Sequence, residues 1–130
     1  MFRLDKRKIF LLYQYYLLGN IQKTGSKTEK EKERIIWLDK CLEKEEFLSN
    51  KITKKLKSGW DFSRLPPLER AILVYSTYEL LLGKNTDLGK MIIDQTINFS
   101  KAYLEEEKYR YINKVLDLII KEEKVASADN

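Results

Sequence analysis

The chain has 130 residues, 43% hydrophobic and 35% charged, with a formal net charge of +5. That length suits one domain with a real core, and five Gly and two Pro are too few turn formers for a β-sandwich or barrel. With no His and one Cys, the Ser/His and Cys/His nucleophile pairs, the usual zinc sets and an intrachain disulfide framework are excluded. These absences weigh strongly against most enzymes, no metal or cofactor is expected, and a reducing cytoplasm is the natural home. The positive balance favours an anionic partner, although an AT-biased genome also enriches lysine.

Taken in order, Asp5 is an N-cap for a first helix that runs to Leu18 and stops at Gly19-Asn20. Arg3, Lys6, Arg7 and Lys8 crowd its start, beside the stripe Ile9, Leu12, Tyr13 and Tyr16. A basic start before an apolar run is also the pattern of a signal peptide. Here the run contains Gln14 and three tyrosines, lacks an Ala-x-Ala-like site and is too short to span a bilayer, so no membrane role is expected. Residues 19–28 form a loop with Gly19, Gly25 and Ser26. Thr28-Glu29-Lys30-Glu31 then fits a capping box. The second helix places Ile35, Ile36, Leu38, Leu42 and Phe47 in a stripe, with Trp37 at its edge and Cys41 as a small core residue. Ser49 caps a short third helix holding Ile52 and Leu56, ended by Gly59.

Residues 65–83 carry the central feature. Pro66 and Pro67 suit a helix start, Gly83 suits a left-handed stop, and between Ala71 and Leu82 the only formal charge is Glu79. A helix apolar nearly all round must be buried, so residues 67–82 form the post of the domain, with Glu79 a paired structural carboxylate. Asp87 caps the next helix, which carries Leu88, Met91, Ile92, Gln95 and Phe99 on one face. Leu104-Glu105-Glu106-Glu107 opens the last helix, whose stripe is Tyr111, Ile112, Val115, Leu116, Ile119 and Ile120. The expected fold is all-α, a single-domain bundle of about six or seven helices over residues 1–124, followed by a frayed tail at 125–130.

Several stretches in the second half resemble one family. They are Trp60 and Arg64, Leu68-Glu69-Arg70-Ala71-Ile72-Leu73, Tyr78-Glu79-Leu80, Asp94-Gln95-Thr96-Ile97 with Ser100-Lys101, and Tyr111-Ile112-Asn113-Lys114-Val115-Leu116. Together they are similar to the NusB family of bacterial transcription antitermination factors, over residues 52–120. Val74, Leu88, Ser100 and Lys114 depart from the family's usual Arg, Pro, Ala and Gly, and Asp94-Gln95 replaces Asn-Glu. These departures bear on RNA specificity more than on the fold.

The resemblance implies a protein that catalyses nothing and binds boxA-type single-stranded RNA together with the ribosomal protein NusE in the transcription elongation complex. It also allows a homodimer. By resemblance the RNA face combines Arg3, Lys6, Arg7, Lys8 and Tyr16 with Glu69, Glu107, Arg110 and Tyr111. Cations neutralise phosphates, rings stack on unpaired bases, and a carboxylate accepts from a base amino group. Two other readings are compatible with the residues. One is the RNA-recognition domain of an rRNA cytosine methyltransferase, which requires a reading frame continuing past Asn130. The other is a helical protein-interaction module whose charge is incidental.

Overall fold

The chain turns helical where Asp5 leaves the extended region and its carboxylate accepts from the Arg7 N–H at 3.0 Å. The computed structural model describes residues 1–21 and 27–128, with the side chains of 125–128 excepted. Its helices are α1 (Lys6–Leu18), α2 (Glu29–Glu43), α3 (Glu45–Thr53), α4 (Pro67–Leu81), α5 (Gly89–Lys101) and α6 (Glu106–Ala128), with short 3-10 turns at Phe62–Arg64 and Thr86–Leu88. Among the described residues there is no strand, so the fold is all-α, as expected.

Two caps are as the sequence predicts. Gly19 takes the left-handed conformation at φ 80° and donates to the Tyr15 carbonyl, ending α1. Thr28 accepts from the Glu31 N–H at 3.2 Å, starting α2. Gly25 and Ser26 lie outside the described residues, and so does the tail at 129–130. The α6 backbone continues to Ala128, past the expected domain end at residue 124.

Helix α4 is the post. Ala71 to Thr77, Glu79 and Leu80 are all buried, and α1, α3, α5 and α6 pack around them. Two buried hydroxyls bond to their own helices, Ser76 donating to the Ile72 carbonyl at 2.7 Å and Thr96 to that of Ile92 at 2.7 Å, whereas the buried Thr77 hydroxyl has no hydrogen-bond partner among the described residues. Helix α1 runs antiparallel to α4, because Asp5 meets Tyr75 at one end and Tyr16 meets Arg70 at the other.

Four local expectations are corrected. Gly83 is not left-handed; a Cβ there would fall 2.6 Å from the Glu79 carboxylate, so close approach is what requires glycine. Ser49 lies inside α3, which begins at Glu45 after the turn at Lys44, and its hydroxyl donates to the Glu46 carbonyl. Asp87 sits in a 3-10 turn, and α5 starts at Gly89 with no side-chain cap. Ile36 and Phe47 are 56% and 43% exposed; the buried face of α2 and α3 consists of Leu38, Cys41, Leu48 and Ile52. The break at Lys44 shifts the helical phase after Leu42, which a single stripe across both helices ignores.

Candidate nucleic-acid interface

At the N-terminal end of α4, Pro66 and Pro67 bring the chain out of the 3-10 turn and aim Glu69 at the start of α6. Between them opens a groove of about 610 Å³ with Glu69, Glu107, Arg110 and Tyr111 in its walls, four of the expected RNA residues. The cations Lys57, Arg64, Lys108 and Lys114 add to Arg110, so positive charge outweighs the two carboxylates. Trp60 lines the same groove and is 51% exposed. The Tyr111 hydroxyl accepts from the Lys57 N–H at 2.8 Å, and the Lys57 ammonium lies 5.7 Å from the Tyr111 ring centre. Glu69 is 9% exposed; burial pushes its carboxyl above the usual carboxylate range, with Lys108 opposing.

Tyr16 is brought to this end but is half-buried. Its hydroxyl donates to Glu45 at 3.2 Å, its ring packs 5.6 Å from Phe62, and the Arg70 guanidinium lies 4.8 Å from its centre. Burial, then Glu45, raises the Tyr16 hydroxyl pKa far above that of free tyrosine. Arg70 Nε is buried without a hydrogen-bond partner among the described residues, so the ring is what the guanidinium rests on.

The basic start of α1 does not form one patch. Lys6 and Arg7 line a groove of about 540 Å³ between α1 and α2, with Phe10, Gln14, Lys27 and Arg34. The Phe10 ring lies 5.9 Å from both Phe99 and Tyr103, which are 4.8 Å from each other. Tyr103 is 50% exposed, just before α6 begins. Phe10 ties this aromatic trio to the Lys6–Arg7 groove, and Tyr103 ends it three residues before α6 begins.

Arg3 and Lys8 line a separate cavity of about 750 Å³ with Trp37, Tyr75 and Glu79. The Lys8 ammonium sits 4.9 Å from the Trp37 ring centre, and Trp37 packs 5.5 Å from Tyr78 and 5.7 Å from Tyr75. Glu79 is 8% exposed; burial raises its carboxyl pKa, and Lys8 opposes the rise. Cys41 is buried, and desolvation aided by Glu79 and Glu45 pushes its thiol up to about 12, which fits a small core residue.

The residues expected from the sequence to face RNA do not include Phe10, Tyr103 and Trp60, which line or adjoin the candidate grooves. Phe10 is off the buried Ile9–Leu12 stripe and beside Lys6 and Arg7, and Tyr103 falls in the break between two stripes; both were readable signals. Among the described residues no group of His, Cys, Asp and Glu is placed to hold a metal ion, and no helix is long and apolar enough to cross a membrane.

The sequence model of the NusB family matches residues 15–121. The transcription antitermination protein NusB of Lactococcus lactis is 37% identical over 84 residues, covering 65% of this chain and 43% of that protein. The NusB of Methylacidiphilum infernorum is 30% identical over 95 residues, covering 72% of this chain and 65% of that protein. That of Macrococcus caseolyticus is 39% identical over 80 residues, covering 62% and 59%. The matched stretches thus span about half to two thirds of these relatives. The match covers the post, the Glu69 groove and most of α6, and the chain belongs to the NusB family.

Proposed function

We propose that the chain acts in transcription antitermination as a cytoplasmic, non-enzymatic protein that holds boxA-type single-stranded RNA together with NusE in the elongation complex. The observation that carries this reading is the set of cations and rings formed by Lys6 and Arg7, half-buried Phe10 and Phe99 and exposed Tyr103, with Arg110, Lys114 and exposed Trp60. Cations in such a set neutralise phosphates, and rings stack on unpaired bases. Glu69 and Glu107 supply acceptors for base amino groups, which phosphate contacts cannot read. Tyr16 supports Arg70 from below, and Arg3 and Lys8 contribute field rather than contact. A homodimer formed through the same face competes with RNA.

The test is retention of a boxA-type RNA oligonucleotide, with and without NusE, across a salt series. NusE should tighten binding, and affinity should fall steeply with salt. Arg7→Ala should weaken binding of all sequences, whereas Glu69→Gln should change which sequence is preferred. If NusE neither binds the chain nor improves RNA retention, the reading is wrong. Salt-insensitive association with a protein and no RNA retention would instead mark a protein-interaction module.

A further inference from the structure

We propose that Gln95 is the positioning residue that latches the N-terminal arm to α5 and so sets the Lys6–Arg7 pair against the aromatic trio. The binding half of this inference rests on the RNA reading above; the latch itself does not.

Residues 1–5 precede α1, and the arm is held at Phe2, Leu4 and Asp5. Phe2 is 3% exposed. The Leu4 N–H donates to Gln95 Oε1 at 2.8 Å, and Gln95 Nε2 donates to the Phe2 carbonyl at 3.0 Å. The partners fix which way the amide faces, because a backbone N–H can only donate and a carbonyl can only accept. An ionised carboxylate at this position would accept from Leu4 but set an acceptor against the Phe2 carbonyl. An apolar side chain of equal length would leave both backbone groups unpaired.

The next residue continues the latch. The Asp5 N–H donates to the Tyr75 hydroxyl at 2.9 Å, and the Asp5 carboxylate accepts from the Arg7 N–H and, at 2.9 Å, from Arg34 Nε. Asp5 is the N-cap that starts α1, so fixing the arm fixes where Lys6 and Arg7 leave it. Gln95 also lies one turn before Phe99 on α5, and Phe99 packs on Phe10. One stretch of α5 therefore holds the arm at one turn and the interface rings at the next.

The test compares the parent chain with Gln95→Glu and Gln95→Met in three readouts. Exchange of the Leu4 amide should be about 10-fold faster in Gln95→Met, which removes its acceptor, and less accelerated in Gln95→Glu, whose carboxylate still accepts from it. Affinity for a boxA-type RNA oligonucleotide should fall about 3- to 10-fold in both, although Gln95 touches no proposed RNA contact. The thermal deficit of Gln95→Glu should shrink as pH falls from ~7 to ~4, because the neutral carboxyl donates as well as accepts, while that of Gln95→Met should not change. Unchanged Leu4 protection overturns the latch. A loosened arm with unchanged RNA affinity overturns the positioning role and leaves the RNA reading intact. A parent chain that retains no RNA overturns the RNA reading, and Leu4 exchange still decides the latch.

Discussion

Glu69 and Glu79 lie on one helix, ten residues or ~15 Å apart, and are equally buried. Burial raises the carboxyl pKa of both. Their surroundings differ. Glu79 has Gly83 packed against its carboxylate, Trp37 and Tyr75 beside it and Lys8 as its opposing charge, all within the folded domain. Glu69 is answered only by the exposed Lys108 and opens on a groove walled by Trp60 and surface cations. The same residue type at the same burial is thus committed to the fold at one end of the post and left available to a partner at the other.

The comparison can be broken at the Glu79 end first. Gly83→Val puts a Cβ 2.6 Å from the Glu79 carboxylate and 3.1 Å from its Cα, and should destabilise the chain by about 1–3 kcal/mol in urea unfolding. Tyr75→Phe removes the acceptor of the Asp5 N–H and should cost about 1 kcal/mol in the same measurement. Gly83→Val should not change RNA affinity of the folded chain by more than the stability loss explains, whereas Tyr75→Phe also loosens the arm at Asp5 and should lower affinity modestly. At the other end, Arg110→Ala and Lys114→Ala should leave stability within about 0.5 kcal/mol, since both side chains are exposed. Arg110 pairs with Glu106 at 3.7 Å on the surface, which contributes little. Each should lower RNA affinity and reduce the salt slope by about 1.

The smallest effect is in pH. Below the ordinary glutamate value of 4.5 both carboxyls are protonated in the folded and unfolded chain, and neither costs stability. Their folded pKa values are raised, so as pH rises from 4.5 through them the folded state binds more protons and stability falls. Glu79→Gln and Glu69→Gln should each remove part of that decline. The variants should gain on the parent chain with rising pH, as followed by thermal unfolding between about pH 4 and 7.

Much of this architecture was legible because it follows from period and caps. The apolar run that begins at Ala71 is largely buried as far as Leu80, although Leu82 at its end is 39% exposed, and Asp5, Gly19 and Thr28 act as their chemistry requires. Gly83 and Gly89 were not legible in the same way. A Cβ at Gly83 would crowd the Glu79 backbone and carboxylate, and one at Gly89 would displace the end of the Ile120 side chain on α6, neither of which the turn rules read from the sequence contain. The interface was half legible. Glu69, Glu107, Arg110 and Tyr111 come together because α4 and α6 begin at one end of the bundle. The cluster of Arg3, Lys6, Arg7 and Lys8 divides because consecutive helical residues point about 100° apart, sending Lys8 towards Trp37 and Arg7 into the α1–α2 groove.

That division gives the central claim its most direct measurement: affinity for boxA-type RNA and melting temperature, determined side by side for Lys8→Met and for the double variant Arg110→Glu with Lys114→Glu. The double variant should lose RNA affinity by at least about 10-fold with its melting temperature unchanged, while Lys8→Met should alter melting and leave affinity within about 3-fold. Loss of RNA binding in Lys8→Met at unchanged stability, with the double variant still binding, would place the RNA surface at the Glu79 end and contradict the account.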